Sequence, residues 1–188
     1  LVIDLVNPAG QPERMQLVVR GYNDGFAFCY KIPDGKGPCV NVQSELTAYN
    51  FAGDYTAWFY NGENHNIGPE KLTETDGTRL PVMTVKAGDK HYMAIHEACL
   101  ETGAPLVLQS KGGESLFSVA SKPTSLSPGY TSAWRVVLYG TTPGVLTDSH
   151  LLELLNPDPD SRYDFSWVKP GLAVWDWRIN GAVWDGFT

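Results

Sequence analysis

Positive charge is what this sequence is short of. Against 21 Asp and Glu residues it carries 14 Lys and Arg, a formal net charge of −7. No cluster of cations offsets that excess, which argues against a nucleic-acid partner, since a phosphate backbone is held by grouped Lys and Arg. Long apolar runs are missing too. None approaches the roughly twenty residues that cross a bilayer as a helix, so no helical membrane span is expected. A basic, apolar leader is absent as well. The chain opens at Leu1 in a strand-like run and stops just after a dense aromatic run, so both ends read as cut from something longer.

Cysteine is scarce. Cys29, Cys39 and Cys99 make neither a CxxC pair nor a zinc spacing. Cys29 and Cys39 flank a turn and could meet across a hairpin; three free thiols packed as small hydrophobes is the alternative. Standard catalytic signatures are also lacking: there is no GxSxG, HExxH, P-loop or GxGxxG. His65, His91, His96 and His150 are scattered, none four residues from another, which leaves no helical metal-binding pair.

What is present is a strand-rich composition. Hydrophobic residues make up 43% and aromatics 12%, with 19 Gly and 13 Pro among many Val, Thr, Tyr and Trp. That mixture favours strands joined by turns. Strands are expected over residues 1–6 and 15–22, and over 26–32 after the hairpin signal Asp24-Gly25. Residues 39–50 read as strand-like or irregular. Further strands are expected over 55–60, 80–85, 105–109, 116–120 and 133–139, with a polar loop over 61–69. Turn residues every eight to twelve positions mean an antiparallel sandwich. Thr142-Pro143 reads as an N-cap followed by Pro, starting one short helix over 143–147. Leu151 to Leu155 is expected to close the sandwich as a last strand.

The centre of the pattern is Lys90 to Leu100. With a period of two, one face carries His91, Met93, Ile95, Glu97 and Cys99, and the other Tyr92, Ala94, His96, Ala98 and Leu100. Both faces are largely apolar, so the strand should be covered on both sides. Glu97 then needs a cation, hydrogen-bond donors or protonation. An Arg partner or exposure at a strand end would satisfy it without any function. Towards the end, Trp175-Asp176-Trp177-Arg178 suits a sugar, with flat rings against C–H faces and polar tips for hydroxyls. A hydrophobic plug between two domains would use the same residues. Asp158, Asp160 and Asp164 offer hard oxygens of the kind calcium takes, but without the Gly and bidentate Glu of a loop site they read as a solvated linker.

Several stretches together resemble the bacterial glycoside hydrolase family 97 α-glycosidases. Trp134-Arg135-Val136-Val137, Thr142-Pro143-Gly144, Leu151 to Leu155, Asn156-Pro157, Ser166-Trp167-Val168-Lys169-Pro170-Gly171 and Trp175-Asp176-Trp177 are similar to the family's junction between N-terminal sandwich and barrel. Asp24-Gly25-Phe26-Ala27-Phe28 is similar to its hairpin motif, with Cys29 where Arg is usual. Ala94-Ile95-His96-Glu97-Ala98 resembles its "I-T-E-A" strand, with His96 in place of Thr, and Glu101 to Ala104 replaces a Tyr-Pro-Gly-like turn.

The resemblance implies an all-β fold, an antiparallel β-supersandwich of the galactose mutarotase type with one short helix. It also implies a C-terminal tail like the first strand of a (β/α)8 barrel. The expected division is 1–155 as the N-terminal sandwich lacking its first strands, 156–169 as linker, and 170–188 as the first strand and loop of a truncated catalytic barrel. The implied role is the non-catalytic N-terminal part of a periplasmic, calcium-dependent enzyme acting on α-glucosides or α-galactosides. Glu97 would be this part's ligand to calcium. Trp177, Arg178 and Asp176 would meet the oligosaccharide, and the catalytic carboxylates would lie outside this chain. The implied partners are that oligosaccharide and the missing barrel, with no nucleic acid and no membrane. The competing expectation is a stand-alone carbohydrate-binding sandwich using Trp58, Tyr60 and Trp177 as its platform.

Overall fold

The computed structural model describes residues 1–6, 9, 12–60, 66–101 and 103–172. Thirteen strands follow in order: β1 Val2–Val6, β2 Pro12–Tyr22, β3 Gly25–Lys31, β4 Val40–Val42, β5 Ala48–Asn50, β6 Thr56–Tyr60, β7 Asn66–Lys71, β8 Asp76–Lys86, β9 Tyr92–Ala98, β10 Leu108–Lys111, β11 Leu116–Val119, β12 Thr124–Leu126 and β13 Trp134–Gly140. A single 3-10 turn covers Leu72–Glu74, and two short helices, α1 Pro143–Asp148 and α2 Leu151–Leu155, end the sequence of elements. Every described pairing is antiparallel. The expected all-β antiparallel class is the observed one.

One path of pairing runs β1-β2-β3-β13-β9-β8-β10-β11-β5, with β6 held between β7 and β8. β8 makes the corner. Its Asp76–Arg79 half pairs with β10, whereas Met83 to Lys86 pairs with β9 and β6. The two halves face each other across one core: Ala57, Phe59, Leu72, Met83, Val85 and Ile95 meet Leu106, Leu108, Phe117 and Val119. A second core lies on the other side of β3, β13 and β9, where Ala27, Ala94, Ala98, Val136 and Leu138 meet Leu151 and Leu155 of α2. Alternation therefore puts β9 between two cores, with Ile95 in one and Ala94 in the other, as its doubly apolar pattern requires.

Four segments depart from the sequence reading. Leu151–Leu155 is a helix. β13 is already paired on both edges, by β3 and β9, so that region needs a cover for its alanine-lined face. A helix brings Leu151 and Leu155 onto one side, where a strand would have put Glu153 between them. The expected loop over 61–69 gives way at Asn66 to β7, an edge strand that tolerates Pro69. β10 begins at Leu108 because the Leu106 N–H is taken by the Glu97 carboxylate. β12 pairs with β4 in a separate two-stranded sheet where only a loop was legible. The helix over Pro143–Asp148 is found as expected, but Thr142 makes no side-chain capping bond.

The Asp24-Gly25 turn has a tertiary reason for its composition. A Cβ on Gly25 would stand 2.2 Å from the Val137 carbonyl, so no other residue fits without moving β13. Asp24 accepts a 2.5 Å hydrogen bond from the Ser149 hydroxyl, and that oxygen in turn accepts from the Leu151 N–H. The same few residues tie hairpin, central strand and helix together.

The chain divides into two compact units, Leu1–Pro157 and Asp158–Thr188. Within the second, the described residues form turns without strand or helix. Asp160 binds Arg162 through both carboxylate oxygens, and Asp164 accepts from the Ser166 N–H. The turn expected over residues 7–10 and the barrel-like strand beyond residue 172 lie outside the described residues, except for Ala9.

Candidate functional site

Glu97 points from β9 into the inner face of the sandwich, where its side chain is 9% exposed. Its Oε2 accepts a 2.5 Å hydrogen bond from the Leu106 N–H. Directly across the strand pair stands Arg135, whose Nη1 lies 3.8 Å from the same oxygen. The awkward carboxylate of the sequence is thus answered by a cation and a backbone donor. Burial raises the Glu97 pKa, while the Leu106 bond and Arg135 pull it down.

Arg135 has a closer acid. Its Nε and Nη2 donate to the two oxygens of Glu45 at 3.0 and 2.7 Å, a bidentate pair. Burial opposes its charge, but the Glu45 hydrogen bonds, with Tyr49 and Glu97 nearby, hold its pKa above the usual range. Glu45, Thr47 and Tyr49 alternate along the segment leading through β5, and Thr47 shares a 3.0 Å hydrogen bond with the Tyr30 hydroxyl. Arg135 and Tyr30, from β13 and β3, thereby bolt one layer of the sandwich to the segment that enters the other. Arg135 Nη1 and the Tyr49 hydroxyl are buried without a hydrogen-bond partner among the described residues. Burial pushes the Tyr49 phenol above its ordinary range, so it stays neutral.

Sequence reasoning treated Arg135 as part of a motif and left Glu45 unmentioned. The signal was an Arg inside an otherwise apolar strand, which demands an acid. Which acid could not be read, because Glu45 and Arg135 lie 90 residues apart.

A calcium ion takes six to eight oxygen ligands. Among the described residues no three His, Cys, Asp or Glu side chains gather as a metal site, and the charge nearest Glu97 is a guanidinium. These surroundings do not compose a calcium centre from this chain's described residues. Trp177, Arg178 and Asp176 lie outside the described residues. Cys29, Cys39 and Cys99 are free thiols, and burial pushes Cys29 up to about 11.

On the opposite face of β9, His96 accepts the Glu97 N–H at its Nδ1, 2.8 Å away. Burial lowers its pKa, so the ring is neutral near pH 7 and carries its proton on Nε2. Trp58 and Tyr60, the other rings singled out from the sequence, line an open cleft with His96.

Residues 1–157 match the family described as Glycosyl-hydrolase 97 N-terminal. The chain belongs to that family. A retaining alpha-galactosidase of Bacteroides thetaiotaomicron is 27% identical over 199 aligned residues, covering 84% of this chain and 30% of its own length. A probable retaining alpha-galactosidase of Streptomyces bingchenggensis is 29% identical, covering 89% of this chain and 27% of its own. Among solved structures, a glycoside hydrolase family 97 enzyme from Pseudoalteromonas sp. strain K8, in complex with acarbose, shares the fold. Its TM-score is 0.74 at 24% identity over 90% of this chain and 27% of that one. A β-arabinopyranosidase shares it more distantly, with TM-score 0.60 over 72% of this chain. The chain spans less than a third of the length of the relatives it matches.

Proposed function

We propose that this chain is the non-catalytic N-terminal part of a periplasmic glycoside hydrolase acting on α-galactosides or α-glucosides. The observation that carries the reading is the family match over residues 1–157. The α-galactosidase names of the two relatives favour the galactoside side of that choice. In this reading residues 1–155 would be the sandwich, 156–169 the linker, and 170–188, mostly outside the described residues, would correspond to the start of the barrel. The two-unit division at Pro157 and Asp158 is compatible with that layout.

In the same reading, bond cleavage uses a pair of carboxylates supplied by the barrel. The two half-buried acids on the inner face, Glu45 and Glu97, are both held by Arg135 and so are not free to act as such a pair. To serve as this chain's ligand to a parent calcium ion, Glu97 would have to exchange its present contacts with Arg135 and the Leu106 N–H for the metal, with the remaining ligands coming from outside the chain. Trp177, Arg178 and Asp176 are proposed to face the substrate from the start of the barrel.

Assay of the 188-residue chain beside its full-length parent, on nitrophenyl α-galactoside and nitrophenyl α-glucoside, tests this. Turnover by the parent and none by the chain is expected. Turnover by the clean chain would overturn its non-catalytic role, and an inactive parent would overturn the glycosidase reading. Calcium titration by calorimetry should show no saturable binding to the chain and a site in the parent that Glu97→Gln weakens.

A further inference from the structure

Among the described residues, one face of the sheet formed by β3, β13, β9, β8 and β6 is covered over only part of its width. On β3, β13 and β9 it is closed by Leu151 and Leu155 of α2, over Ala27, Ala94 and Ala98. Strand register carries the same face onward, since Ala94 stands beside Thr84 of β8, and Thr84 beside Trp58 of β6. Here the described residues leave an open cleft of about 460 Å³ lined by Trp58, Tyr60, Asn66, Val82, Thr84 and His96, among others.

The lining chooses a chemistry. In a protein of net charge −7, no side chain lining this cleft carries a formal charge when His96 is neutral. The cleft therefore has no counter-ion for a phosphate, a carboxylate or an ammonium group. It does have aromatic rings, Trp58 and a Tyr60 that is 40% exposed, whose electron-rich faces attract polarised C–H groups. It also has hydroxyl and amide groups on Thr84 and Asn66. His96 adds a donor of defined sense: its Nδ1 is occupied by the Glu97 N–H, so the nitrogen left for a ligand is Nε2, which carries the hydrogen. Rings for C–H faces, with neutral donors and acceptors beside them, match an uncharged ring bearing several hydroxyls.

We propose that the cleft between β6, β7, β8 and His96 binds one pyranose unit of a neutral glycan. The inference rests on the glycosidase reading only for its choice of probes. The site would give the sandwich a role of its own, holding a sugar on a rigid sheet face next to the helical cover. Its polar groups come from three different strands, so the geometry is set by sheet register.

The test is a titration of the 188-residue chain with raffinose and with maltotriose, with affinities of all variants read by calorimetry and the site located through the indole N–H signals of the ¹⁵N-labelled unmodified chain. A saturable shift of the Trp58 indole with either sugar is expected. Trp58→Ala and Tyr60→Ala should each weaken binding about tenfold, the scale of one lost ring contact. Tyr60→Phe keeps the ring and should bind as the unmodified chain does, which separates loss of contact from loss of fold. Trp167→Ala, at a Trp that is 77% exposed and outside the cleft, should leave binding unchanged. Absence of any Trp58 shift at saturating sugar would overturn the proposal, as would binding that survives both alanine variants. Concentration-dependent dimerisation lost in Tyr60→Ala, without sugar shifts, would overturn it in favour of a contact between copies. A parent that hydrolyses nitrophenyl α-galactoside while this cleft binds no sugar would sink the proposal and leave the glycosidase reading intact.

Discussion

Removing Arg135 strands two carboxylates at once. Glu45 loses its bidentate partner and Glu97 its cross-strand cation, both in places with little access to water. Breaking a buried ion pair from one side costs on the order of 3–5 kcal/mol, because the remaining charge is left without compensation. Arg135→Met should therefore destabilise the sandwich by about that much in urea denaturation. Glu97→Gln should cost about 1 kcal/mol or less near neutral pH, since the amide oxygen still accepts from Leu106 and Arg135 still holds Glu45. The two variants should also separate by pH. Burial sets the folded-state pKa of Glu97 above its usual 4.5, so the folded protein holds that proton more tightly than the unfolded chain. Its contribution is greatest below pH 4.5 and is lost as pH rises through the folded pKa. Relative to the unmodified chain, Glu97→Gln should gain stability as pH is raised from about 4.5. Equal pH profiles would show that the carboxylate is not held in the dry setting described.

At the scale of elements, the telling segment is α2. Leu151 is 1% exposed and Leu154 is 61% exposed, although they sit in the same leucine-rich run. Leu151→Ala should cost about 2–5 kcal/mol by emptying the second core, and Leu154→Ala should stay within about 0.5 kcal/mol. Comparable losses at both positions would contradict the helical register. The sequence of this segment admits either period, since five residues are too few to distinguish a strand from a helical turn. β9 is the opposite case. Its seven residues carry apolar groups on both faces, and that pattern was enough to place it between two layers before any contact was known. Asp24-Gly25 was legible as a turn for local reasons. That Gly25 must also clear the Val137 carbonyl follows only from the position of β13.

For the whole molecule, cores and family boundary coincide. Both hydrophobic clusters are built from residues before Asn156, and the family match ends at residue 157. A chain ending after Pro157 should therefore unfold in one cooperative transition at the melting temperature of the 188-residue chain, within about 2 °C. A large drop on calorimetry would show that the sandwich leans on the residues that follow. Sugar binding at the Trp58 cleft should survive the same truncation, because every lining residue precedes Thr102.

The sequence alone determined the antiparallel all-β class, the turn at Asp24-Gly25 and the burial of β9 on both sides. These follow from spacing of two and from Gly, Pro and Asp-Gly chemistry, which act over a few residues. It also showed that Glu97 needed a partner, since an unpaired carboxylate in an apolar strand is too costly to leave alone. Only the tertiary structure decided which partner. Arg135 arrives from the adjacent strand and Leu106 from the turn beyond, while Glu45, 90 residues from Arg135, completes the set. Local pattern cannot specify a contact across that much chain. The same holds for the cleft, where Trp58, Thr84 and His96 were separate residues until the register of β6, β8 and β9 set them on one face.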